Sequence, residues 1–127
     1  MMSSSLPVET LVSTDSLGEF EQLVLLAVLH LRRVVDEDDD VYGIPILAEI
    51  EARTGRAPAR AAVYVTLRRL ERKGLLSSWM GSPRPERGGK ARRCVDITPE
   101  GEAALLGSRR ALDRMWGALA PAIRDPE

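Results

Sequence analysis

A chain of 127 residues with 44% hydrophobic and 29% charged side chains has the length and composition of one soluble globular domain. The net charge is −1, but the charges are distributed unevenly, because residues 53–93 contain twelve basic side chains and only two acidic ones, Glu71 and Glu86. A single cysteine, Cys94, excludes an internal disulfide and a four-cysteine zinc site, and the longest apolar run, residues 23–29, is far shorter than the ~20 residues that span a membrane. We therefore expect a cytoplasmic protein whose cationic part contacts a polyanion.

The N-terminal part of the chain predicts a lead-in followed by a buried helix. Residues 1–15 lack the basic start and the long apolar stretch of a secretory signal, and we expect them to be disordered. Ser16 and Glu19 have the spacing of a capping box, which places the start of the helix near Leu17. Because residues 23–29 are apolar almost all round, we expect this helix to be central and heavily buried.

A charged loop and two further helices are predicted next. The adjacent carboxylates of residues 36–40 repel each other and favour a solvated loop, with a divalent-metal site as the less favoured alternative. The second helix is expected from Gly43 to about Gly55 and the third over residues 60–73. Gly55 and Gly74 suit the left-handed position that ends a helix.

The third helix has two unlike faces. Val63, Leu67 and Leu70 recur at i, i+4 and i+7, which predicts one buried stripe. A helix held by the core on one side can present its other side to DNA, as a recognition helix does. The other side and the two ends of this helix carry the candidate DNA contacts Arg60, Ala61, Tyr64, Val65, Arg68, Arg69, Arg72 and Lys73.

The sequence indicates different contacts for the members of this set. Arg68 is the best candidate for a bidentate contact with guanine, because a guanidinium matches the two acceptors of that base. Ala61 and Val65 are small and apolar, which suits contact with thymine methyl groups.

The pattern then changes to two short strands, residues 76–80 and 92–97, in which apolar residues partly alternate. Residues 81–91 between them contain three glycines and two prolines, so we predict a β-hairpin with a long cationic tip, a wing. Together these elements make a winged helix-turn-helix domain over residues 16–98. The wing residues expected to contact the DNA backbone or the minor groove are Arg84, Arg87, Lys90 and Arg92.

A last helix is expected over residues 99–120, before a tail at residues 121–127. Thr98 is the predicted N-cap and Pro99 the first helical residue. At about 20 residues, or roughly 30 Å, this helix is too long to pack entirely on so small a domain. We therefore predict a mainly α fold with a small β-hairpin and a C-terminal dimerisation helix. The apolar residues expected at the dimer interface are Leu105, Leu112, Met115, Trp116 and Leu119.

The chain lacks the convergent reactive groups of an enzyme, so we predict no enzymatic activity, no cofactor and no metal site. His30 is expected to be a structural residue of the first helix. Cys94 is expected to pack within a strand, with a redox-sensing thiol activated by Arg92 and Arg93 as the alternative.

Four segments in this order resemble the PadR family of transcriptional regulators, and the resemblance extends over residues 17–119. Residues 64–75 resemble the family's recognition-helix signature, with Tyr64, Leu67, Arg69, Leu70, Lys73, Gly74 and Leu75 at the matching positions. Residues 17–29 resemble its first helix, residues 42–46 the start of its second, and residues 97–101 the junction after its wing.

The resemblance implies dimerisation through the C-terminal helix, a phosphate contact by the Tyr64 hydroxyl and, more weakly, an effector pocket near Trp116. For Tyr64 the alternative is hydrophobic packing, and for Trp116 a dimer anchor is favoured over a ligand-stacking residue. Arg69 matches the family's arginine, with an ion pair to Glu71 or to the wing as the alternative. The hypothesis is a homodimeric regulator, a repressor on a palindromic double-stranded DNA operator. The alternatives are a winged helix used for protein contact and an effector-responsive sensor.

Overall fold

The computed structural model describes residues 16–35, 41–83, 91–119 and 123. In chain order the elements are α1 (Glu19–Arg32), α2 (Gly43–Thr54), α3 (Arg60–Arg72), β1 (Leu76–Met80), β2 (Arg93–Ile97) and α4 (Pro99–Trp116). This order confirms the predicted mainly α fold with one antiparallel hairpin. Among the described helices none is both long and apolar enough to cross a membrane.

The core lies where α1, α2 and α3 meet, with the hairpin closing one side. Val24 and Val28 of α1, Ile46 of α2, and Val63 and Leu70 of α3 are all completely buried. Each such side chain contributes about 1.5–3 kcal/mol relative to an exposed one. The core is therefore aliphatic, and its residues on α3 fix which side of that helix faces outward.

The start of α1 differs from the prediction. The helix begins at Glu19 with Gly18 as its N-cap, and the Gly18 N–H donates to Oε1 of Glu21 at 3.0 Å. The predicted capping box of Ser16 and Glu19 was therefore wrong by two residues. The physical reason is that Leu17 is buried in the core, which leaves Ser16 outside the helix.

The hairpin pairs Leu76 with Ile97 at its base and Met80 with Arg93 at its far end. The Val95 N–H of β2 donates to the Val41 carbonyl at 3.0 Å, so the residues before α2 add one bond to the free edge of this strand. Residues 84–90 of the predicted wing tip and the acidic loop of residues 36–40 lie outside the described residues, and with them Arg84, Arg87 and Lys90.

The end of α3 is tied to the start of α4. Thr98 caps α4 as predicted, since its Oγ1 accepts from the Gly101 N–H at 3.0 Å, and the same hydroxyl donates to the Gly74 carbonyl at 2.7 Å. Gly74 has φ +78°, and Gly55 at the end of α2 has φ +76°, so both predicted left-handed glycines are confirmed. A Cβ at Gly101 would lie 2.3 Å from the Leu75 carbonyl oxygen, so this close approach requires glycine.

Candidate nucleic-acid interface

The exposed side of α3 is cationic and has few acidic neighbours. Its buried residues are Val63, Thr66, Leu67 and Leu70, and its first turn contains no acidic residue. The positive end of the helix dipole is therefore uncompensated there, which favours an anion. We call the exposed side the recognition face, and it consists of Arg60, Ala61, Tyr64, Val65, Arg68, Arg69 and Arg72.

Three arginines of the recognition face are available for a ligand. Arg60, Arg68 and Arg72 are exposed and have no hydrogen bond or ion pair with any of the described residues. Other arginines nearby are engaged, because Arg53 is paired with Glu49 within α2. The first turn, the middle and the last turn of α3 thus each present an unpaired guanidinium group.

Tyr64 packs on the beginning of α2. A Cβ at Gly43 would lie 2.6 Å from Cε1 and Cζ of the Tyr64 ring, so the ring rests directly on the Gly43 backbone. This contact agrees with the packing alternative for Tyr64. The ring remains partly exposed, and its hydroxyl lies at the N-terminal end of α2.

Lys73 and Glu71 are bonded within the domain. The Lys73 Nζ donates to Oε2 of Glu21 at 2.8 Å, and the Ser78 hydroxyl donates to Oε2 of Glu71 at 2.7 Å. An Arg69–Glu71 ion pair, one of the alternatives considered for Arg69, does not occur among the described residues. Arg69 instead contributes its charge to the surroundings of Glu21.

Arg92 also differs from the expectation for a wing residue. Its guanidinium lies over the Tyr42 ring, 5.6 Å from the ring centroid, and the side chain is half-buried. Its Nε is buried with no hydrogen-bond partner among the described residues. Arg92 therefore packs the far end of the hairpin against the start of α2, where a cation–π contact stabilises it.

Cys94 is completely buried in β2, and its Sγ lies 3.5 Å from the Arg92 carbonyl oxygen. Reactive thiols are partly exposed, so the burial favours packing over redox sensing for this residue. His30 is half-buried near the end of α1. The described residues contain no cluster of His, Cys, Asp or Glu with the arrangement of a metal site.

A second surface lies between α1 and α4. It is a groove of about 550 Å³ whose walls include Leu26 and Leu29 of α1 and Leu112 and Trp116 of α4. The residues of α4 beyond Arg109 are all exposed, so this end of the helix projects from the domain. We use the name α4 face for the exposed apolar side chains of this groove, Leu26, Leu106, Leu112 and Trp116, together with the exposed Met115 and Leu119 at the projecting end of the chain.

Leu105, which the sequence pattern predicted at the dimer interface, lines the groove but is not one of its exposed side chains. It is only 8% exposed and packs into the core of the same chain. Sequence reasoning missed Leu26 and Leu106 at this surface. The available signal is the all-round apolar character of α1, which indicates burial although Leu26 is exposed toward α4.

Comparison with known proteins identifies the family. The sequence model of the Transcriptional regulator PadR-like family matches residues 31–106. This chain belongs to the PadR-like family of transcriptional regulators. It is 38% identical over 78 residues to the Transcriptional regulator Rv3488 of Mycobacterium tuberculosis, an alignment that covers 61% of this chain and 68% of that protein.

Solved structures share the fold at low sequence identity. A PadR family transcription regulator from Clostridium difficile has a TM-score of 0.61 at 20% identity, covering 80% of this chain and 95% of that one. The MepR–DNA complex of S. aureus has a TM-score of 0.54 at 18% identity, covering 94% of this chain and 73% of that one. These likenesses confirm the winged-helix architecture.

Proposed function

We propose that this PadR-family regulator binds double-stranded DNA sequence-specifically through α3 and acts as a repressor on a palindromic operator. The observation that carries the proposal is the recognition face, where Arg60, Arg68 and Arg72 have no partner among the described residues. The relation of fold to the S. aureus MepR–DNA complex supports the same use of the domain. Repression needs no contact beyond occupation of the operator.

Within this proposal the side chains of α3 divide the work. Arg68 contacts guanine in the major groove, while Ala61 and Val65 contact thymine methyl groups. Arg60 and Arg72, at the two ends of the helix, neutralise phosphates and supply affinity without sequence preference. The wing residues proposed for backbone contacts are Arg84, Arg87 and Lys90.

The α4 face supports assembly as a homodimer. Leu112, Met115, Trp116 and Leu119 are exposed on the projecting part of the chain, and an apolar strip of this kind marks an interface. Two copies related by a two-fold axis bury the same residues from each side. Their recognition helices then read half-sites about 34–36 Å apart, or a multiple of that distance.

The groove between α1 and α4 favours a second candidate, a sensor whose effector changes operator affinity. Its volume of about 550 Å³ lies within the range of small-molecule pockets. The lining of the groove is mostly apolar and includes Arg109 and Glu102, which suits an amphipathic compound. A Trp79→Phe variant leaves Trp116 as the remaining tryptophan, so quenching of its fluorescence by such a compound, together with weaker operator binding, tests this candidate.

The proposed function is tested by fluorescence anisotropy at two salt concentrations. The protein is titrated onto a labelled duplex from upstream of its own gene and onto a scrambled duplex of the same length. We expect binding to the upstream duplex to be about a hundredfold tighter, with a steep salt dependence. An absence of binding to both duplexes at low salt would contradict the proposal and favour a winged helix that contacts protein.

A further inference from the structure

Glu21 is a buried carboxylate at the junction of α1 and α3. Its residue is 7% exposed, although it lies in the first turn of α1, where glutamate side chains usually extend into water. Its Oε1 accepts from the Gly18 N–H at 3.0 Å and its Oε2 from Lys73 Nζ at 2.8 Å. Glu21 therefore joins the start of α1 to the end of α3 across a sequence separation of 52 residues.

The neighbouring pair provides a comparison within the same helix turn. Glu19 binds both terminal nitrogens of Arg56, at 3.4 and 3.2 Å, yet its side chain is 74% exposed and that of Arg56 is 59% exposed. Water and salt screen such a pair, so it contributes little. In the Glu21–Lys73 pair the carboxylate is shielded from water. Loss of its partner would therefore lower the stability of the fold more than loss of an exposed partner.

The surroundings of Glu21 keep it ionised. Burial alone raises the pKa of a carboxyl group, but hydrogen bonds from Lys73 and the Gly18 N–H, with the charges of Lys73 and Arg69, lower the pKa of Glu21 below its ordinary value. The carboxylate is thus charged at neutral pH and needs a cation beside it. Lys73 is the cation that contacts it.

We propose that Glu21 is a positioning residue of the DNA-binding surface, which fixes the end of α3 against α1 and withholds Lys73 from phosphate. A phosphate that took Lys73 would leave the buried carboxylate unpaired, so the charge that α3 presents to DNA ends at Arg72. The Ser78–Glu71 bond holds the same turn of α3 to β1, so the helix end is fixed on two sides. The inference rests on the proposed DNA binding.

The two lysines of the chain, Lys73 and Lys90, make the inference measurable by lysine acetylation read by mass spectrometry. We expect Lys73 of the unaltered protein to react several-fold more slowly than Lys73 of the Glu21→Gln variant. Addition of the upstream duplex should leave the Lys73 rate of the unaltered protein unchanged. Equal rates in the two proteins, or protection of Lys73 by DNA, would overturn the inference.

The arms of this experiment separate the two proposals. The comparison without DNA depends only on the Glu21–Lys73 pair, so it tests the pairing that the inference requires even if the protein binds no DNA. If Glu21→Gln does not fold, as judged by circular dichroism, the rates of the unaltered protein with and without the duplex decide it. A protein that binds no duplex at low salt contradicts the proposed function by a separate result.

A salt titration tests whether Lys73 contacts phosphate, by comparison with its neighbour Arg72. Arg72→Met and Lys73→Met remove adjacent cations, one exposed without a partner and one paired with Glu21. We expect Arg72→Met to lower the slope of log K against log salt by about one and Lys73→Met to leave it unchanged. Equal reductions by the two variants would overturn the inference.

Discussion

The recognition face of α3 and the α4 face are exposed surfaces of opposite chemistry on one small domain. The recognition face carries four arginines, three of them without a partner among the described residues, whereas the α4 face consists of leucine, methionine and tryptophan side chains. A cationic surface gains from a polyanion and an apolar surface gains from another apolar surface. The contrast teaches that an exposed surface indicates its partner through what the surface lacks. The arginines of the recognition face lack counter-ions, and the apolar side chains of the α4 face lack a covering layer.

The largest effect is expected from breaking the α4 face with Met115→Asp. Met115 is 77% exposed, so the substitution leaves the folded protomer intact while placing a charge in the proposed interface. We expect a monomer in analytical ultracentrifugation and operator affinity reduced about a hundredfold, because each half-site is then bound alone. Val34→Asp is the matched control, since Val34 is 73% exposed at the end of α1 and should leave the mass and the affinity unchanged. A Met115→Asp protein that remains dimeric would contradict the assignment of the interface.

A smaller effect, on stability, is expected where the two regions join. Gly101→Ala places a Cβ 2.3 Å from the Leu75 carbonyl oxygen, so α4 must shift away from the end of α3. We expect a loss of about 1–3 kcal/mol in the free energy of unfolding, measured by urea denaturation. Gly107→Ala is the control on the same helix, because a Cβ there meets nothing within 4 Å. If both variants have the same stability, the close approach at Gly101 does not hold.

Glu21→Gln should lower the free energy of unfolding by about 1–2 kcal/mol at neutral pH, and Glu19→Gln by less than half of that. The reason is that only the Glu21–Lys73 pair is shielded from water. The pH dependence follows from the lowered pKa of Glu21. A carboxyl group with a lowered pKa in the folded state stabilises the fold above its ordinary value of 4.5, and this stabilisation is lost as the pH falls through the lowered pKa. The difference between the unaltered protein and Glu21→Gln should therefore be constant near neutrality and shrink in acid, in urea titrations at a series of pH values. If the stability difference between the two proteins grew in acid, the pKa of Glu21 would not be lowered in the folded state.

The smallest effect is expected from removing a single phosphate contact of the recognition face. Arg60→Ala should weaken binding to the operator and to random duplexes by the same factor and lower the salt slope by about one, as expected of a phosphate contact. The measurement is anisotropy over a salt series, with Arg53→Ala as a control because Arg53 is already paired with Glu49. A loss confined to the operator would instead make Arg60 a base-reading residue.

The sequence pattern predicts the elements well because their signals are local. The left-handed glycines at Gly55 and Gly74, the Thr98 cap and the apolar stripe of α3 each depend on residues within a few positions. Helical periodicity likewise predicts which side of α3 is exposed. At the start of α1 two overlapping capping patterns compete, and the burial of Leu17 selects the second.

The contacts and the burial of individual side chains could not be predicted in the same way, because they depend on how the helices pack against each other. The sequence pattern groups Lys73 with the other cations of the third helix, and only the fold brings the buried Glu21 beside it. Arg92 resembled the other wing arginines, and only the fold places it over Tyr42. Leu105 and Leu112 share an apolar strip in sequence, yet the angle of α4 buries the first and exposes the second.

The most direct test of the recognition face is the specificity ratio of Arg68→Ala, the affinity for the operator divided by that for a random duplex, measured by anisotropy. Arg110→Ala, which removes an exposed arginine from α4, is the control. The proposed guanine contact predicts that Arg68→Ala lowers the ratio about tenfold or more while random binding changes little, and that Arg110→Ala leaves the ratio unchanged. Equal losses on both duplexes for Arg68→Ala would contradict sequence reading by α3.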